Sequence, residues 1–194
     1  QLSPQYGLQI HFLMKQLPDS TESGSVFSEA LKVRLKYLLG LGVNIIEIES
    51  NRWQFHSLIA LKLQRKLERD GKKALVISQG ASELKALGGS IDLAKELMAE
   101  AAGLPKDVLV AVPCGTASTL FGLDIGFQLH GSKTRPELLG LSVDMDATGV
   151  GVALNQFFEN YNLHYGTEFK RSDCLRVEGT NHPGYGVVRP DDIL

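Results

Sequence analysis

Short apolar runs alternate along this chain with longer stretches whose apolar positions recur every three or four residues. Residues 8–14 read as a strand. Residues 27–41 carry apolar side chains at 31, 35, 38 and 39 and charges at 29, 32, 34 and 36, which puts one apolar stripe on a helix. Gly40 and Gly42 end it. Residues 44–48 form a second predicted strand, and 53–70 a second helix with Phe55, Leu58, Ile59, Leu63 and Leu67 on one side and Gly71 closing it. A third strand is expected at 74–77, a third helix at 91–102 and a fourth strand at 108–112. Residues 118–130, 138–143, 150–161 and 175–178 continue as helix, strand, helix and strand.

A repeated βαβ order predicts an α/β fold, with parallel sheets, right-handed crossovers and helices on both faces. Ligands in such folds collect at the carboxyl ends of the strands. The small-residue stretch 79–90, "QGASELKALGGS", divides the chain into two blocks of similar size and is the expected subdomain boundary. The polar stretch 18–25, "PDSTESGS", reads as a surface loop.

Composition narrows the function classes. The 194 residues are 43% apolar and 22% charged, with a net charge of −2, so no strong field draws the chain to nucleic acid or to a membrane surface. The apolar runs fall far short of the roughly 20 residues that cross a bilayer. Residues 1–20 lack a basic start followed by an apolar run, so no secretion signal is expected and a cytoplasmic location is the default. Two cysteines, Cys114 and Cys174, make neither a disulfide framework nor a metal site. Histidines 11, 56, 130, 164 and 182 are scattered without ligand spacing, and no metal is expected.

Two stretches carry candidate chemistry. In "PCGTASTLFGL", residues 113–123, the small residues Gly115, Thr116, Ala117, Ser118 and Thr119 join the fourth strand to a helix. Unpaired N–H groups and the positive end of the peptide dipoles lie at such a helix start, and small residues let an anion approach them. Hydroxyls at Thr116, Ser118 and Thr119 add donors. Neither the P-loop nor the dinucleotide spacing is present, so one phosphate monoester suits the loop better than a nucleotide. The alternative is a plain βα turn whose Ser or Thr caps the helix. Cys114 beside the loop is either a reactive thiol or a small buried filler. Gly122 and Gly126 lie one turn apart on the following apolar helix, where they admit a second backbone at close range. The second stretch is "NHPGYGVV", residues 181–188, in which flanking glycines allow Tyr185 to project into a cleft, or to sit in a surface turn.

Taken in order, "YGLQIHFLMK" (6–15), "LKYLLGLGVNIIEI" (35–48), "GASELKALGG" (80–89), "VPCGTASTLFGLDIGF" (112–127) and "PGYG" (183–186) resemble the 1-aminocyclopropane-1-carboxylate deaminase and D-cysteine desulfhydrase family. These are pyridoxal-phosphate enzymes of the tryptophan synthase β fold (fold type II). The resemblance implies that 1–79 is part of a small α/β domain and 80–194 part of the large cofactor-binding domain. It implies a 5′-phosphate held by Gly115, Thr116, Ala117, Ser118 and Thr119, with Tyr185 catalytic near the ring or the substrate. It further implies a homodimer and a lyase acting on a small amino acid, giving a 2-oxo acid and ammonia, with sulfide from D-cysteine. The family's Schiff-base lysine and Ser-Asn-His motif belong upstream of residue 1, and its ring-nitrogen partner downstream of residue 194. The expectation is therefore an internal portion of such an enzyme, incomplete at both ends. A non-catalytic descendant that binds a phosphorylated small molecule is the alternative.

Overall fold

A computed structural model describes residues 6–16, 26–101, 108–131 and 136–179; side chains are described within these except at 26–30 and 101. The chain divides into two units, Gln1–Val76 and Ile77–Leu194. The predicted loop at 18–25 and the tyrosine turn at 181–188 lie outside the described residues.

In the first unit, β1 (His11–Lys15) pairs in parallel with β2 (Asn44–Ile48), His11 opposite Asn44 and Lys15 opposite Ile48. Helix α1 (Val26–Gly40) connects them, and Gly42 turns the chain at φ +76°, where a side chain would be strained. Behind β2, a 3₁₀ turn (Ser50–Phe55) leads into α2 (His56–Arg69). The predicted helix from 53 is thus two segments of different winding, and this rotates Phe55 out of the α2 stripe. Ile59, Leu63 and Leu67 are half-buried as expected, whereas Phe55 and Leu58 are exposed. The predicted strand at 74–77 joins no ladder among the described residues. Gln64 Nε2 donates to the Ala74 carbonyl at 3.1 Å, and Leu75 and Ile77 are 77% and 71% exposed, so neither edge nor face holds this segment as a strand.

The second unit contains a parallel sheet in the order β3 (Leu109–Cys114), β4 (Glu137–Ser142), β5 (Leu175–Gly179). Helix α3 (Gly88–Ala101) precedes it, α4 (Ser118–Leu129) joins β3 to β4, and α5 (Ala147–Tyr165) joins β4 to β5. Residues 120–127 of α4 are all buried, because α3, α5 and the sheet surround that helix. A Cβ built on Gly122 would strike Ser90 of α3, and one on Gly126 would strike Ala94 and the Ile91 carbonyl. The two-glycine stripe therefore meets the first turns of α3. Gly140 does the same for the sheet, where a Cβ would lie 2.5 Å from Leu120 Cδ2.

Phe121 centres an aromatic cluster, stacked on Phe157 at 5.2 Å and edge-on to Phe158 at 4.8 Å. After α5 the chain turns through Gly166 at φ +64°, and Asn162 pins residues 167–169 against the end of that helix. Its Oδ1 accepts from Thr167 Oγ1 at 2.8 Å and from Phe169 N at 2.9 Å, while its Nδ2 donates to the Phe169 carbonyl at 2.8 Å.

Candidate functional site: the loop between β3 and α4

The parallel sheet delivers the carboxyl end of β3 directly into the start of α4, and residues 115–117 make the turn. The N-cap of α4 is Ala117, at φ +64°, and no side chain caps the helix. An L-residue other than Gly, Asn or Asp rarely occupies this left-handed region, at a cost on the order of 1–2 kcal/mol. At the same sheet edge α5 begins differently. Asp146 caps it in the ordinary way, its Oδ1 accepting from Gly149 N at 2.6 Å. The predicted alternative of a Ser- or Thr-capped turn is therefore not the local structure at α4.

Without a cap, the first N–H groups of α4 keep their hydrogen-bonding capacity, and the peptide dipoles add positive potential there. Hydroxyls gather beside them: Thr116 Oγ1 and Ser118 Oγ are 3.3 Å apart, and Ser82 Oγ donates weakly to Ser118 Oγ at 3.5 Å. Gly115 has nothing within 4 Å of where a Cβ would stand, so that side of the loop is open. Gly115, Thr116 and Ser118 are half-buried, Ala117 is buried, and Thr119 is exposed. This set of donors suits a small anion such as a phosphate monoester. Tyr185 lies outside the described residues.

Ser82 is the member that the sequence pattern missed. It comes from the predicted subdomain boundary, where Gly80 (φ +67°) and Ala81 (φ +50°) both take left-handed conformations. A Cβ on Gly80 would stand 3.1 Å from Thr116 Oγ1 and 3.2 Å from its Cγ2. At φ +67° a side chain would be strained and would also press on Thr116, so glycine suits the close approach that brings Ser82 to Ser118.

Cys114 is the buried filler, not a reactive thiol. It is 2% exposed, its Sγ donates to the Val112 carbonyl at 3.4 Å, and burial pushes the thiol up to about 11.

No protein-family model matches the chain. It is 29% identical over 165 residues to the bifunctional D-cysteine desulfhydrase/1-aminocyclopropane-1-carboxylate deaminase of Arabidopsis thaliana, a mitochondrial protein by name. That match covers 80% of this chain and 38% of the relative. Among solved structures, an ACC deaminase homologue superposes with a TM-score of 0.67 at 17% identity, over 96% of this chain and 52% of the other. O-Ureido-L-serine synthase superposes with a TM-score of 0.52 at 16% identity, over 92% and 51%. The chain thus spans about half the length of the solved proteins it matches, and less of the curated one. The family resemblance read from the sequence stands, and the fold is that of the fold-type-II, tryptophan synthase β-like pyridoxal-phosphate enzymes. None of the described helices is long and apolar enough to cross a membrane.

Proposed function

We propose that this chain supplies the phosphate-binding part of a pyridoxal-phosphate-dependent deaminase or desulfhydrase acting on a small amino acid such as D-cysteine or 1-aminocyclopropane-1-carboxylate. The products are a 2-oxo acid and ammonia, with sulfide in the D-cysteine case. In this reading 80–194 belongs to the large cofactor domain and 1–79 to the small one, the enzyme is a homodimer, and it works in the cytoplasm.

The observation that carries the reading is the uncapped start of α4. Gly115 and Ala117 let the phosphate reach the backbone N–H groups, while Thr116, Ser118 and Thr119 donate hydroxyl hydrogens to its oxygens. Pyridoxal phosphate, when bound, supplies an electron sink for the substrate's α-carbon. Tyr185 holds or moves a proton at its phenol oxygen beside the ring or the substrate. No lysine of this chain matches the family's Schiff-base motif, and none is given that role. A non-catalytic descendant that retains the anion loop for a phosphorylated small molecule is the second reading. A Schiff-base lysine in a Ser-Asn-His context elsewhere in the complete gene product decides for the enzyme.

The loop itself is tested with pyridoxine 5′-phosphate, which keeps the ester but has no aldehyde to react with amines. Calorimetric titration is expected to show binding of this ester and not of pyridoxine. The double variant Ser118→Ala, Thr119→Ala should weaken it at least tenfold, since each hydrogen bond to a charged group is worth about 1.5–3 kcal/mol. Unchanged affinity in the double variant sinks the assignment.

A further inference from the structure

A whole-chain charge of −2 averages two unlike halves. Residues 1–76 hold 11 of the 20 Lys and Arg against 7 of the 22 Asp and Glu, which leaves 9 against 15 in residues 77–194. The positive excess of the first unit is concentrated on α2. Lys62, Arg65, Lys66 and Arg69 are all exposed, and none of the four makes an ion pair among the described residues. Glu68 is the one acid within α2, and Gln64 Nε2 donates to its carboxylate at 3.1 Å. Spaced three and four residues apart, the cations repel one another along the helix. Such a face gains from an anionic neighbour.

The amino end of the same face is apolar. At about 100° per residue, Leu58, Leu61, Lys62, Arg65 and Arg69 fall within an arc of about 100°, with Lys66 on its flank. Leu58 is 57% exposed and Leu61 44%, and Phe55, in the turn just before the helix, is 49% exposed. The stripe of Ile59, Leu63 and Leu67 that holds α2 to its own unit is on the other side, so these three apolar side chains add little to the core.

A nucleic acid would meet the four cations but offer nothing to Leu58 and Leu61. An acidic protein segment would need cavities shaped to the apolar side chains. The surface of an anionic bilayer supplies both halves without such matching, with acidic headgroups for the cations and acyl chains just beneath for Phe and Leu. Long Lys and Arg stems keep their charges among the headgroups while the helix sinks.

We propose that the outward face of α2 docks reversibly on an anionic membrane, Lys62, Arg65, Lys66 and Arg69 contacting acidic lipid headgroups while Phe55, Leu58 and Leu61 enter the boundary of the acyl layer. The inference is independent of the phosphate reading of residues 115–119. Each cation near such a surface contributes a factor of about five in affinity, so the four together give on the order of several hundredfold. Acids elsewhere in the chain weigh little, because exposed charges more than about 8 Å away are screened at physiological salt.

The test is flotation of the full chain with vesicles of phosphatidylcholine alone and of phosphatidylcholine with about one-third phosphatidylserine. Binding is expected to the mixed vesicles and not to the neutral ones. It should fall at least tenfold in about 0.5 M salt, where the screening length is about 4 Å. Lys62→Gln with Arg65→Gln should weaken it at least tenfold, and Leu58→Ser with Leu61→Ser should weaken it while leaving its salt dependence in place. Circular dichroism checks that the variants fold, and Lys66→Gln with Arg69→Gln replaces the first pair if it does not. Equal binding to both kinds of vesicle, or unchanged binding in either folded pair, overturns the inference. Capture of polyglutamate or of a single-stranded oligonucleotide without binding of the mixed vesicles overturns it too, and gives the face to another polyanion. Each of these outcomes leaves the loop assignment untouched, since ester binding is read separately.

Discussion

Replacing Gly122 with alanine pits two opposed effects against each other, and the geometry decides which wins. In an open helix interior the change stabilises by about 1 kcal/mol, because alanine has the better helix propensity. Here the new methyl would strike Cβ of Ser90 and lie 3.2 Å from its Oγ, whereas the Ser90 Cα, at 3.5 Å, is at ordinary contact distance. Overpacking of this kind costs about 1–3 kcal/mol, so Gly122→Ala is expected to destabilise by about 1 kcal/mol net. The obstacle is side chain only. Ser90→Gly removes it, and in that background Gly122→Ala should become stabilising. The cycle of single and double variants then shows a coupling of about 2 kcal/mol, read from urea unfolding followed by circular dichroism and from hydrogen exchange of α4 amides. Gly126→Ala supplies the contrast. Its methyl meets the Ile91 carbonyl at 2.8 Å and the Ile91 Cα at 3.2 Å, so Ala94→Gly should rescue it poorly. A stabilising Gly122→Ala in the unaltered chain, or additivity with Ser90→Gly, refutes the close packing of α3 on α4.

Two further outcomes concern the loop and the strand that leads into it. Ala117→Val puts a β-branched residue at φ +64° and should cost at least about 2 kcal/mol of unfolding free energy in urea, while Ala117→Gly stays within about 1 kcal/mol, strain relief offsetting a lost buried methyl. Burial raises the Cys114 thiol from 9.0 to about 11, so the folded state holds its proton more tightly than the unfolded one. Stability from this thiol is therefore complete below pH 9 and falls as pH rises toward 11, and the slope should flatten in Cys114→Ala. A thiol reagent at about pH 8, near the ordinary thiol range, should modify Cys174 first and reach Cys114 only after denaturation.

Most of the alternation was legible in the sequence because it rests on local periodicity. The stripe at 59, 63 and 67 and the two-glycine stripe at 122 and 126 both survive in three dimensions. Failures arose where position depends on distant partners. Residues 74–77 have strand composition, but a β run that pairs with no strand among the described residues stays irregular. Gly88 and Gly89 read as punctuation, yet they open α3, and a Cβ at either would meet nothing within 4 Å, so packing does not call for glycine there. Within the site, the run of small residues pointed to the loop. Nothing in an alanine announces a left-handed backbone, so the uncapped helix start was invisible. Ser82 was equally hidden, 36 residues from Ser118 and joined to it only by the fold.

The difference between the starts of α4 and α5 bears on the chain's history under mutation. A Ser, Asp or Asn that heals a frayed helix end is a single substitution away from many codons and commonly adds about 1 kcal/mol. Drift alone would therefore tend to seal α4 as α5 is already sealed by Asp146. A terminus left ragged beside one that is closed marks a place where self-sufficiency is the wrong outcome, since a helix that satisfies itself has nothing left to offer a guest.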